Sequence, residues 1–479
     1  MKLLKNHIGL YTDHYELLMA QAYFLNGRRG WSCFDYFFRK APYKGSYVVF
    51  AGLYDLLESI QQLKFEREDL EYLSSLGFKK EFLNYLEKFS FSGNIYSVQE
   101  GEIIFPNEPA LRVEADIIEA QIVETILLNI INFESLIATK ASRMRQVAGD
   151  KLLIDFGLRR AQGLGGIQAS KAAIIGGFDS TSNLYSALLF DLKASGTLAH
   201  SFIQSYDLQI DAFRAFATMY QERAVLLVDT YDTLKLGIPD AIQVGKEMEE
   251  RGQRLYGIRL DSGDFSYLSK KARKMLDKQG MQYVKIFVSN QLDEYIIKSL
   301  LEQKAPIDGF GVGTSLVTGK SDGALDGVYK LTMFKDKPRL KISEDTVKIL
   351  LPGIKNIVRY SDEEGMFYAD GIRLQDETDI DKIYNPTNFL QCSVVESFSG
   401  ELIISKVLEN GKVVIQNKSA KDIAAYCSQR LTKLGDEFKR LENPHIYKVG
   451  VSKNLFDLRN QLIQNYKKNE SITTSGCPE

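Results

Sequence analysis

Cysteine is scarce in this chain and badly placed for structure. Cys33, Cys392, Cys427 and Cys477 lie far apart, with no CxxC spacing. That excludes a zinc knuckle or a disulfide scaffold and suits a reducing cytoplasm. Long apolar runs are missing too, and none reaches membrane-spanning length. MKLLKNHIGLYTDHYELL has no apolar core followed by a small-residue cleavage site, so a cytosolic chain is expected. Nor is there an excess of either charge. The formal net charge is −2 with both signs intermixed, which argues against a nucleic-acid footprint or a polybasic membrane anchor. Histidine occurs only four times, at His7, His14, His200 and His445. The one at 200 stands in GTLAHSFIQ, behind a Gly-Thr pair that suits close contact with a phosphate.

What remains is an ordinary soluble composition, 44% hydrophobic and 25% charged. Its 479 residues predict roughly three domains of about 150 each. Residues 1–115 read as an N-terminal α/β domain. TDHYELLMAQAYFLNG is a capped helix, SCFDYFFR and GSYVVFAG are strands, and two short helices follow around FEREDLEYLSSLG and KKEFLNYLEKF. NIYSV, EIIFP and ALRVEA are further strands. A single long helix is predicted over Asp116–Arg145, acidic at its start and basic at its end, as the helix dipole favours.

From 150 to about 315 short apolar runs recur between amphipathic segments. They are KLLIDFG, AAIIGGF, the run entering GTLAHS, AVLLVDTYDT, LYGIRLDSGD, VKIFVSN and IDGFGVGT. The last four are spaced like βα units, and nearly every run ends in polar or glycine residues. Parallel strands bind ligands at those carboxyl ends. Seven runs favour an irregular α/β barrel over an open sheet, with 116–324 as the catalytic domain. Residues 325–418 read as β-rich and packed on the N-terminal domain, with VYKLTMF, PRLKIS and the ELIISKVLENGKVVIQ hairpin. Residues 419–479 read as closing helices and a frayed tail.

The strand ends hold the candidate chemistry. DFGLRRAQG offers Phe156, Arg159 and Arg160; paired arginines grip phosphate or carboxylate, though surface ion pairs use the same residues. IRLDSGD offers Arg259, Asp261 and Gly263, where a carboxylate suits vicinal ribose hydroxyls and Ser262 or Asp264 suits a helix cap. GFGVGTSLVTGKSDG fails the Walker spacing and leads into a turn. What survives there is a glycine-lined nest at Gly311, Gly313 and Thr314. In VDTYDT, Asp229 and Asp232 fit either a magnesium–phosphate complex or a helix cap. Taken alone, His200 is better explained by a structural role.

These motifs together resemble the nicotinate phosphoribosyltransferase family. YTDHYELLMAQAY, VETILLNIINFESLIATKASR, FGLRRAQG, AAIIGGFDSTSN, GTLAHSF, LVDTYDT, IRLDSGD and GVGTSLVT follow in family order across about residues 10–460. The resemblance implies transfer of a phosphoribosyl group from 5-phosphoribosyl pyrophosphate to nicotinate. It also implies coupling to ATP hydrolysis, with Mg²⁺, through a phosphohistidine at His200. It implies that Tyr15 stacks on the pyridine ring from across a homodimer interface, with Asp13 beside it, and that Phe156 covers the opposite face. Thr197 and Arg259 are then nicotinate contacts, Arg259 at the carboxylate, and Gly196 admits the phosphate. Arg159 and Arg160 face phosphate or pyrophosphate, and Asp261 and Gly263 the ribose. Gly311, Gly313 and Thr314 hold the 5′-phosphate, with Ser289 and Asn290 nearby.

Two departures bear on this. Leu198 stands where some relatives carry a second histidine, so phosphotransfer falls to His200 alone. The loop QGLGGIQ (162–168) is unusually glycine-rich, and no role carries over to it. The acidic pyrophosphate loop of purine-type phosphoribosyltransferases is absent, as a different fold requires. The rival readings are a nicotinamide phosphoribosyltransferase, which binds a neutral amide, and an inactive paralogue acting as a ligand sensor. A quinolinate enzyme would need more cationic groups and no phosphohistidine.

Overall fold

The computed structural model describes residues 7–342, 350–378, 380–386 and 388–474; Cys477 lies outside them. The chain divides into two units. The first comprises Met1–Leu136, Ala324–Lys418 and Gln429–Glu479, and the second Ile137–Gly323 with Ser419–Ser428. The division falls inside the helix Glu124–Ala148 and not at residue 116, and the closing segment is shared between the two units.

Apolar and aromatic content builds the first unit on two large sheets and a small two-stranded one that pairs Val48–Val49 with Ile103–Ile104. One has seven strands. In it Trp31–Phe38 pairs antiparallel with Gly327–Phe334 on one side and with Leu111–Asp116 on the other. The second has six strands, centred on Lys355–Ser361 and Phe367–Leu374. Chain segments some 300 residues apart thus share one ladder, as Ser32 opposite Phe334 illustrates. Leu56, Phe82, Ile118 and Leu127 pack on this unit's core. The hairpin turns at Asn410–Gly411, both at positive φ, as an Asn-Gly turn requires.

Several local expectations are corrected. The helix Leu53–Gln62 precedes the two expected short ones. The long helix is two, Ile117–Ile122 and Glu124–Ala148, and the Asp116 side chain caps the first by accepting from the Ile118 N–H at 3.1 Å. PRLKIS contributes only its Pro338 to a strand, Lys337–Pro338, among the described residues. The expected frayed tail is helical as far as Thr474, and residues beyond it are not described.

The second unit is built on six parallel strands, in the order Ser180–Thr181, Leu152–Asp155, Gly309–Val312, Lys285–Ser289, Gly257–Leu260, Val225–Leu227. AAIIGGF is not one of them. Its alanines and isoleucines close the helix Gly165–Ile175, and the strand comes after the Gly176–Gly177 turn. The run entering GTLAHS is likewise the helix Leu184–Leu189, followed by a single bridge between Thr181 and Ala194. One face of the sheet carries fully buried Leu153, Leu226, Ile258, Ile286 and Phe310. The alternate positions face the other way. No ladder joins the Val225–Leu227 edge to the Ala194 edge among the described residues, so the parallel strands of the expected irregular barrel leave one open seam without backbone pairing.

Candidate active site

Every strand of this sheet delivers its carboxyl end to the same side, as parallel connections demand. After Leu152–Asp155 the chain is folded back by Asp155. Its carboxylate accepts from Ser170 Oγ at 2.8 Å, Thr181 Oγ1 at 2.7 Å and the Gly157 N–H at 2.8 Å. Burial pushes its pKa up, and those three donors pull against the rise. The turn fixed in this way presents Phe156 and leads into a short helical turn carrying Arg159 and Arg160.

Arg259 projects from the next-but-two strand. It donates to Thr197 Oγ1 and, at 3.2 Å, to the Leu198 carbonyl, and its guanidinium carbon lies 5.9 Å from the Phe156 ring centre. Burial lowers its pKa, yet a guanidinium stays charged. The direct acceptors it has among the described residues are neutral oxygens, which leaves a half-buried cation suited to an anionic ligand. Asp261, two residues on, accepts from Ser289 Oγ, and its backbone N–H donates to Asp229 Oδ2 at 2.7 Å. Ser262 Oγ donates to the same Asp229 oxygen at 2.6 Å.

His200 opens the helix His200–Gln204. Its Nδ1 pairs with Thr230 Oγ1 at 3.0 Å, and its Nε2 lies 3.9 Å from Asp261 Oδ2. The imidazole is not sealed in the core, with 39% of its side chain exposed. Between these tips lies a cleft of about 510 Å³ lined by Phe156, Arg159, Arg160, Thr197, Arg259, Asp261, Ser289, Asn290, Gly311, Gly313 and Thr314. His200 meets this lining through Asp261 and the adjoining Ala199.

Besides His200, three expected residues stand apart from that list. Gly263 lies in the turn behind Asp261 at a φ of +81°, where a side chain would be strained and would crowd Leu268. Asp13 and Tyr15 belong to the first unit, as the cap and second residue of the helix His14–Leu25. Burial and the Glu124 and Glu16 carboxylates push the Tyr15 phenol well up, so it stays protonated. The open pair in VDTYDT separates cleanly. Asp232 caps the following turn through the Leu234 and Lys235 N–H groups, while Asp229 braces Asp261. Asp264 caps its helix through the Tyr267 N–H at 2.8 Å.

Sequence reasoning missed Thr230, Ser182 and Gln291. Thr230 lies in TYDT with nothing to distinguish it. Asn290 and Gln291 adopt positive φ values of 84° and 50° at the cleft edge. Such backbone costs about 1–3 kcal/mol per residue and gathers at functional sites. No residue type announces it. Among the described residues there is no cluster of three or more His, Cys, Asp or Glu able to hold a metal.

The chain matches the nicotinate phosphoribosyltransferase N-terminal domain over residues 10–132, the nicotinate phosphoribosyltransferase family over 152–343 and the C-terminal domain over 354–459. A nicotinate phosphoribosyltransferase of Bacillus subtilis (strain 168) is 40% identical over 96% of each chain. One of Homo sapiens is 30% identical, covering 95% of this chain and 96% of its own. The crystal structure of human nicotinic acid phosphoribosyltransferase superposes with a TM-score of 0.84 at 28% identity, covering 94% of this chain and 99% of its own. A Pyrococcus furiosus protein described as a nicotinate-nucleotide pyrophosphorylase shares the fold, with a TM-score of 0.72 at 24% identity.

Proposed function

The chain belongs to the nicotinate phosphoribosyltransferase family, and we propose that it joins nicotinate to 5-phosphoribosyl pyrophosphate while hydrolysing ATP through a phosphohistidine at His200. The products are nicotinate mononucleotide, pyrophosphate, ADP and phosphate, the first step of NAD synthesis from nicotinate. One observation carries this reading. A single cleft gathers a carboxylate-seeking Arg259, two arginines, Asp261 and a glycine-lined strand end, with His200 against its wall.

The pyridine nitrogen attacks the anomeric carbon with its lone pair as pyrophosphate leaves, so no protein nucleophile or general base is needed. The protein's work is orientation and charge stabilisation. Arg259 and Thr197 hold the nicotinate carboxylate, with Phe156 against the ring. Asp261, held by Asp229 and Ser289, takes the ribose hydroxyls. Arg159 and Arg160 stabilise the departing pyrophosphate, and Gly313 and Thr314 receive the 5′-phosphate. Mg²⁺ would come with the phosphates of ATP and phosphoribosyl pyrophosphate and would add charge stabilisation to the departing pyrophosphate.

His200 is arranged for phosphotransfer. With its proton on Nδ1 and directed at Thr230 Oγ1, Nε2 keeps a lone pair. That nitrogen attacks the γ-phosphorus of ATP, the P–O bond to ADP breaks, and water later cleaves the P–N bond. The Nδ1 proton stays on the imidazole throughout, donated to Thr230 Oγ1.

The rival amide-binding reading is disfavoured by Arg259, whose charge a neutral amide cannot offset. Assays with nicotinate and nicotinamide side by side are expected to favour nicotinate by about two orders of magnitude or more in kcat/KM, the worth of an ionic over a neutral hydrogen-bond partner. A preference for the amide would overturn the proposal. The sensor reading is disfavoured because Tyr15, His200, Arg259 and Asp261 are all retained.

Phe156 can lie where it does because Gly311 has no side chain; a Cβ there would come 2.4 Å from its ring. Gly311→Ala is therefore expected to raise the KM for nicotinate roughly tenfold, the equivalent of about 1.4 kcal/mol. The KM for phosphoribosyl pyrophosphate should change far less. Equal effects on both substrates would remove Phe156 from the base site.

We further propose a homodimer in which Tyr15 serves the partner's cleft. Tyr15, Leu18 and Met19 are 46%, 48% and 36% exposed on one helix, an apolar face that a second copy would cover. Mixing Tyr15→Ala with His200→Ala chains is expected to restore about a quarter of wild-type activity, since random pairing leaves one intact site in half of the dimers. No recovery after demonstrated subunit exchange would refute the shared site. No helix among the described residues is long and apolar enough to cross a membrane.

A further inference from the structure

The inner face of the parallel sheet is short of side chains. In a closed barrel this space is filled by layers of branched residues. Here Gly257, Gly309 and Gly311 occupy three inward positions. A Cβ on Gly257 or Gly309 would lie 2.9 or 2.8 Å from the Phe287 ring, so Phe287 and Phe156 use part of the vacated room. The remainder is a chamber of about 570 Å³ with walls of Leu152, Ile154, Val225, Tyr256 and Phe287.

This chamber is separate from the cleft but touches it. Phe156, Gly196, Thr197, Arg259 and Gly311 line both spaces. Its mouth lies at the open seam of the sheet, since Lys193–Ser195 from one edge and Glu222, Arg223 and Val225 from the other line it. Phe216 and Tyr220 flank that opening from the helix Gln209–Tyr220.

Charge at the mouth favours an anion. Lys193 and Arg223 are exposed and make no ion pair among the described residues. Of the two carboxylates nearby, Asp179 is already paired with Arg145 at 2.6 Å, leaving Glu222. Arg259 is engaged by the carboxylate of the cleft's own ligand once the cleft is filled, so the chamber's free cations are those at its mouth. Apolar and aromatic walls with a cationic entrance match a flat ring bearing a carboxylate.

We propose that this chamber is a second binding site, for a small planar aromatic carboxylate admitted through the sheet's open seam. Two spaces meeting at one Arg259–Thr197–Phe156 wall allow such an acid to be held while the cleft is occupied. The choice of nicotinate as probe rests on the function proposed above; the chamber itself does not.

The test is equilibrium dialysis of labelled nicotinate against the full chain saturated with nicotinate mononucleotide. A further equivalent of nicotinate per chain is expected at millimolar concentration. Ala194→Trp, which fills the mouth, and Arg223→Glu, which reverses its charge, should each weaken that binding roughly tenfold or more. Both positions are exposed, and thermal melting should match the parent. The affinity for mononucleotide should not change. No nicotinate bound beside the mononucleotide, or binding indifferent to both substitutions, overturns the chamber. If the mononucleotide itself fails to bind, the proposed function falls instead, and nicotinate binding to the free protein that both substitutions weaken still supports the chamber.

Discussion

In a His200→Ala variant, incubation with γ-labelled ATP is expected to leave no acid-labile label on the protein, and ATP hydrolysis should fall by about 10⁴-fold or more, as for loss of a covalent nucleophile. The expectation follows from what surrounds the imidazole. Nδ1 is engaged by Thr230, and no other histidine lies in the cleft, because Leu198 fills the place two residues earlier. A substitute nucleophile is therefore missing. Phosphoribosyl transfer measured without ATP should be affected far less, since the nitrogen–carbon bond forms without the imidazole. Thr230→Val sharpens the test: the label should form more slowly but still reside on a histidine. Undiminished label in His200→Ala would end the phosphohistidine assignment.

Arg259→Ala is the second large effect. Two charge-assisted hydrogen bonds to a carboxylate are worth about 1.5–3 kcal/mol each, so kcat/KM for nicotinate should drop roughly 10²–10⁴-fold. Arg259→Lys should recover only part of this, because an ammonium cannot match the two oxygens in parallel. Arg259 also braces the loop before His200 through Thr197 and the Leu198 carbonyl. Labelling of His200 therefore has to be measured alongside. Retained label with a collapsed preference for nicotinate over nicotinamide locates the defect at the carboxylate. An equal loss for both bases would mean that Arg259 acts only as a brace.

The recurrence of short apolar runs between amphipathic segments made most of the parallel strands readable, and their polar ends pointed to residues that line one cleft. Arg159, Arg160, Arg259, Asp261 and Thr314 could be picked out because each follows an apolar run. The same rule failed at AAIIGGF. A short apolar run has no period of its own, and helix or strand is then decided by what it packs against. Asp229 and Asp232 were equivalent by type and position. Only the fold makes Asp232 a cap and Asp229 the brace of Asp261, because that depends on which neighbouring loop comes within 3 Å.

What the sequence determined by itself is the order of chemically loaded strand ends, since local patterning forces each loaded residue to the end of its strand. The tertiary structure alone decided the partners. Thr230 against the imidazole, the strained Asn290–Gln291 corner and the open seam beside Ala194 all arise from contacts between segments distant in the chain. Such contacts are set by how the strands line up side by side, and no single stretch of residues encodes that alignment.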